Sequence, residues 1–180
     1  MKKSKYVLVL AMSIFLISLI VGFIYGINNK YDVSEYVKTI DKSFLLINHL
    51  LVILLFFFST ISLIGTLICG FYIGFEGVCV GYVISEFFNT YGFKGVMYSL
   101  INITVNKVLF LVILFYLFVV CVKYAKKVIS NMVGISTDYL IYLLKPLIKK
   151  YALIILFIST YDILNYFFSY KVLRYFTFML

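Results

Sequence analysis

Between Lys5 and Lys30 the chain runs 24 residues, Tyr6 to Asn29, without a formal charge, and after a short polar stretch a second such run covers 33 residues, Ser43 to Phe75. A helix rises about 1.5 Å per residue, so about 20 apolar residues suffice to cross the hydrocarbon core of a bilayer. Runs of this length constrain the fold more than any other feature, and they predict an all-α polytopic membrane protein. The 180 residues are 64% hydrophobic and 13% charged, which leaves too few polar side chains to coat a soluble domain and excludes a water-soluble enzyme of this size. The length fits four to six spans in one membrane domain and no large additional catalytic domain.

Sixteen Lys plus Arg against seven Asp plus Glu give a formal charge of +9. In so apolar a chain that excess suits anionic lipid headgroups and a topology signal rather than nucleic acid, because the basic residues never interleave with a polar recognition surface. Lys2, Lys3 and Lys5 precede the first run, so a span at about 6–27 is expected to start from a cytoplasmic N-terminus. A signal peptide is the alternative, but the run is longer than a usual apolar signal core and has no A-x-A-like cleavage site. Residues 30–42 balance three Lys against Asp32, Glu35 and Asp41, as suits an external loop.

The second run is too long for one ordinary span. It divides most simply into a helix at about 44–66, a tight turn near Cys69–Gly70 and a helix at about 70–91. One tilted helix to residue 75 followed by a re-entrant piece is the alternative. A fourth helix spans about 95–122, and a fifth about 151–170. Between them Lys123, Lys126, Lys127, Lys145, Lys149 and Lys150 face only Asp138, so this segment is expected in the cytoplasm. Its portion 138–150 reads as an amphipathic helix on the inner membrane surface, bent at Pro146. Both basic clusters agree with five spans, the N-terminus cytoplasmic and the C-terminus outside.

Four glycines, Gly70, Gly74, Gly77 and Gly81, fall on one stripe of the third helix and predict a close-packing seam, with a substrate groove or pore lining as the alternative. Ionisable groups inside a span cost several kcal/mol on insertion scales unless paired, hydrated or near an interface. Counted from the outer helix ends, Lys107 matches Glu76 in depth better than it matches Glu86, which predicts a Lys107–Glu76 pair between the third and fourth helices. A structural clamp and a coupling site both fit such a pair. Asn102 and Asn106 give the same face polar character, and Asp162 with Asn165 on the fifth helix is placed to join it. His49 is expected as a hydrogen-bonding residue near the outer interface.

Cys69, Cys79 and Cys121 lack ligands at metal spacing and read as small buried hydrophobes, so no metal or cofactor is expected. Neither H-E-x-x-H, G-x-S-x-G nor a Walker A loop occurs, and no catalytic residue is assigned.

Three segments, Asn48-His-Leu-Leu, Ile73-Gly-Phe-Glu-Gly-Val-Cys-Val-Gly81 and Glu86-Phe-Phe-Asn-Thr-Tyr-Gly-Phe-Lys-Gly95, give residues 44–122 a resemblance to the stage II sporulation protein M family of bacterial membrane proteins. Gly77 and Gly81 match the family's paired glycines, and Gly92 and Gly95 match its following turn. Glu76 stands where members carry Asn or Lys, and Val105–Asn106 stand where members carry Pro followed by His or Gln. The resemblance implies about five spans in a bacterial cell membrane. It also implies a non-enzymatic scaffold that organises a cell-wall remodelling complex in engulfment or a related envelope process, with envelope proteins such as peptidoglycan hydrolases as partners. A small transporter, channel or permease subunit with Glu76, Lys107, Asn102, Asn106 and Asp162 lining a path is the second expectation. Oligomeric state stays open.

Overall fold

The computed structural model describes residues 2–28, 42–60, 62–130 and 137–177. Six helices are found among the described residues: α1 Lys2–Asn28, α2 Lys42–Ser59, α3 Leu63–Tyr91, α4 Phe93–Asn106, α5 Val108–Ser130 and α6 Thr137–Thr177. Three of them contain segments long and apolar enough to cross a membrane, Ser4–Asn28, Ile64–Tyr91 and Val108–Val128, and α2 adds the shorter apolar stretch Ile47–Ser59.

Side-chain contacts fix the directions in which these helices run. Gly77 and Gly81 of α3 meet Phe15 and Leu19 of α1, while Gly22 meets Val78 and Gly26 meets Ser85, so α1 and α3 are parallel. His49 of α2 pairs with Asp162, and Thr60, just past its end, meets Tyr151, so α2 and α6 are antiparallel. Cys69 of α3 lies against Cys121 and Glu76 against Lys107, so α3 and α5 are antiparallel. Phe56 of α2 meets Tyr72 of α3 while Ser59 meets Gly65, so α2 and α3 are antiparallel as well, and α1, α2, α3, α5 and α6 alternate in direction along the chain.

The core is drawn chiefly from α2, α3, α5 and α6, with Ile53, Phe56, Ile73, Phe110, Leu114, Leu117 and Ile158 almost wholly buried, and α1 adds Ala11. The perimeter is apolar as well, including Ile17 and Ile20 on α1, Ile64 and Phe71 on α3, and Leu153 and Leu156 on α6. An outer surface of this kind is costly in water and natural against acyl chains.

Three expected boundaries are corrected. The junction of the second and third helices lies between Ser59 and Leu63, not at Cys69–Gly70, and α3 continues unbroken to Tyr91, which removes the re-entrant alternative. Its local cause is Ser62, whose extended backbone and side-chain oxygen cap the amide of Gly65 at 2.8 Å. Gly65 is required because a Cβ there would lie 2.0 Å from the Ser59 carbonyl oxygen. The expected helix 95–122 is two helices, interrupted at Lys107, whose backbone (φ −123°, ψ −24°) leaves helical geometry while its N–H still reaches Ile103 O. The amphipathic segment 138–150 and the span 151–170 are one helix, because Pro146 withholds only one helical bond, at an exposed position beside exposed Tyr142. The expected external loop lies, except for Lys42, outside the described residues.

Candidate functional site

Glu76 sits near the middle of α3, about 20 Å from either end of that helix. One turn before it, Tyr72 donates its hydroxyl to Glu76 Oε1 at 2.9 Å, and Lys107 Nζ donates to Oε2 at 2.9 Å. Both carboxylate oxygens are thereby occupied. The Glu76 side chain is 11% exposed and that of Lys107 33% exposed, so the carboxylate is the member that depends on its partner. The break between α4 and α5 falls at the residue that makes this contact.

The preceding turn extends the polar region toward α6. Asn106 donates to Asn102, Asn165 Nδ2 donates to Asn106 Oδ1 at 3.0 Å, and the Tyr161 hydroxyl donates to the Val105 carbonyl. A side-chain donor on a carbonyl of the last turn of α4 satisfies backbone beside the interruption.

Asp162, one turn before Asn165, accepts from His49 on α2. His49 Nδ1 is 3.0 Å from both carboxylate oxygens, and with the carboxylate ionised Nδ1–H is the donor. Both side chains are buried, and the Phe110 ring covers the imidazole with centroids 3.9 Å apart. Glu76, Lys107, Asn102, Asn106, Asn165, Asp162 and His49 therefore form a polar layer across the bundle, joining α2, α3, α4 and α6 with the α4–α5 junction at Lys107. Glu86 is separate, near the end of α3, and its buried Oε1 has no hydrogen-bond partner among the described residues.

The glycine stripe divides between two neighbours. A Cβ at Gly77 would lie 2.6 Å from Phe15 O, and one at Gly81 2.0 Å from Leu19 O, so these two residues admit the α1 backbone. Gly74 meets the side chains of Ser18 and Ile14, while Gly70 faces the Phe118 ring of α5 at 3.8 Å. The seam's other half, Gly22 and Gly26, has the small-x-x-x-small spacing that marks such contacts and escaped the sequence reading.

Sequence reasoning also missed the His49–Asp162 pair, the Tyr72 and Tyr161 hydroxyls, and the meeting of Cys69 with Cys121 at 3.8 Å. For His49 one signal was present: it and Asp162 are ionisable residues in apolar runs for which no partner had been assigned. Among the described residues no three His, Cys, Asp or Glu side chains converge as a metal site would require. The layer's chemistry is hydrogen bonding and charge compensation between helices. Compared with protein-family models, curated proteins and solved structures, the chain matches none of them.

Proposed function

We propose that the chain crosses the cell membrane five times, with the N-terminus and the 123–150 segment in the cytoplasm and the C-terminus outside, and that it serves as a non-enzymatic scaffold. The alternating helix directions and the two basic clusters support this topology. One observation carries the scaffold reading: the ionisable side chains of the polar layer are engaged with each other, Lys107 paired with Glu76 and His49 hydrogen-bonded to Asp162. Side chains engaged in this way hold helices in register and are not left open to a translocated ion. The resemblance to stage II sporulation protein M then supplies the process, assembly of a wall-remodelling complex in a bacterial envelope.

A transport role is the second reading. It is favoured by the unbroken Asn102–Asn106–Asn165 chain beside an interrupted helix and by the part-exposed Lys107.

Water access separates the two. With the native cysteines replaced by serine, Asn102→Cys and Asn106→Cys in native membranes should resist an aqueous thiol reagent if the layer is a structural clamp. Rapid labelling at both positions would mean a hydrated path and would favour transport. Recovery of cell-wall enzymes with the protein from mild detergent would favour the scaffold.

A further inference from the structure

We propose that Cys69 and Cys121 form an oxidation site, a thiol pair that an organic hydroperoxide from the acyl-chain region converts into a disulfide locking α3 to α5. The thiol contact stands by itself, whereas the choice of oxidant rests on the membrane reading above.

Two of the three cysteines, 52 residues apart in the chain, meet across the α3–α5 contact with their sulfurs 3.8 Å apart. The two helices are close at this level. Gly70, next to Cys69, adds no side chain and faces the ring of Phe118, which lies one turn before Cys121 on α5. A disulfide holds its sulfurs about 2.05 Å apart, so closing the pair takes a shift of about 1.8 Å, shared between χ1 rotation at two cysteines and small adjustments between the helices. Cys79 is no competitor, since it lies ten residues beyond Cys69, about 15 Å farther along the helix.

Both thiols are wholly buried in the apolar core. That burial keeps away water-soluble oxidants and, equally, the soluble thiols that would reduce a disulfide once formed. An apolar oxidant meets a smaller barrier: Ile68 and Phe71 are exposed on the other flank of α3, so one helix separates the pair from the acyl chains. Burial slows attack at either sulfur, but the step that follows is intramolecular, because the second thiol already touches the first.

The chemistry closes on these groups and one hydroperoxide. One thiol attacks the terminal peroxide oxygen, an S–O bond forms, the O–O bond breaks, and the thiol hydrogen goes to the departing alkoxide, leaving an alcohol and a sulfenic acid. The neighbouring thiol then attacks the sulfenic sulfur, the S–S bond forms, and the hydroxyl leaves as water with the second thiol's hydrogen. Each sulfur gives up one electron, and the peroxide takes both. Cys69 is seven residues before Glu76, about 10 Å along α3, so the bond adds a covalent tie to the helix pair that Glu76 and Lys107 hold at mid-depth.

The test uses the full-length Cys79→Ser protein, which keeps only this pair, in vesicles treated with cumene hydroperoxide or with hydrogen peroxide at equal concentration. The chain is then unfolded, its free thiols are alkylated, and the product is weighed intact and as peptides. The expected product has lost two hydrogens, carries no alkyl group and yields a linked Cys69–Cys121 peptide. It should form roughly tenfold or more faster with the apolar peroxide, which partitions into the bilayer. Adding Cys69→Ser or Cys121→Ser should abolish the link. Two alkylated thiols after cumene hydroperoxide, oxygen on the sulfurs without a link, or a link between two copies of the chain would overturn the site, and equal rates with both peroxides would overturn the apolar oxidant. Alkaline carbonate extraction of the same vesicles separates the failures: a protein stripped from the bilayer refutes the membrane reading, whereas one that stays but forms no link refutes the oxidation site alone.

Discussion

Lys107→Met, with Glu76 left in place, should destabilise the bundle by about 2–4 kcal/mol, measured by unfolding in detergent micelles. The change removes the donor to Oε2 and leaves a nearly buried carboxylate with only the Tyr72 hydroxyl. The figure is set below that for a fully enclosed pair because a third of the Lys107 side chain is open and the lost attraction is partly screened. Adding Glu76→Gln should recover most of the loss, since the neutral amide keeps an oxygen for Tyr72 and no longer needs a cation. The double variant is expected within about 1 kcal/mol of wild type, as replacing both members of an ion pair is often close to neutral. Equal damage in the single and double variants would mean that Lys107 acts through something other than Glu76.

The second large effect is expected at the seam between α1 and α3. Gly81→Ala should cost about 2–3 kcal/mol, because its Cβ would sit 2.0 Å from the Leu19 carbonyl oxygen and backbone cannot rotate away as a side-chain tip can. Gly70→Ala should be neutral or stabilising by up to about 1 kcal/mol. Its Cβ would meet the Phe118 ring at 3.8 Å, an ordinary contact, and the substitution reduces the backbone freedom lost on folding. Gly74→Ala should fall between them, since its nearest neighbour is the Ser18 hydroxyl at 3.2 Å. If Gly70→Ala instead proved as costly as Gly81→Ala, the stripe would have to act as one surface elsewhere, for instance between two copies of the chain.

The contrast between these glycines illustrates what could be read in advance. Helical spacing places Gly70, Gly74, Gly77 and Gly81 on one stripe, but a stripe is wide enough to touch two neighbours, and which neighbour each residue meets depends on crossing geometry that spacing does not encode. The Glu76–Lys107 contact was more legible because depth is counted from the outer helix ends. The end of α3 at Tyr91 is marked by the turn glycine Gly92, at φ 62°, so an error of several residues at the start of that helix did not move Glu76.

That start was hidden for a physical reason. From Ser43 to Phe75 no charge interrupts the sequence, so hydropathy carries no mark of the junction between α2 and α3, and only the cap at Ser62 and the close approach at Gly65 record it. The interruption at Lys107 was likewise invisible, because no proline or glycine stands there and the break coincides with a side chain reaching another helix. The His49–Asp162 pair joins residues 113 apart in sequence, a separation over which no local pattern operates.

Every functional reading depends on how often and in which direction the chain crosses the bilayer. The most direct test labels single cysteines from each side of the membrane in a background without native cysteines, using an impermeant maleimide on intact and on permeabilised cells. Five crossings predict that Lys126→Cys reacts only after permeabilisation, while a cysteine appended after Leu180 reacts on intact cells. Labelling of Lys126→Cys from outside, or reaction of both positions from the same side, would contradict the account.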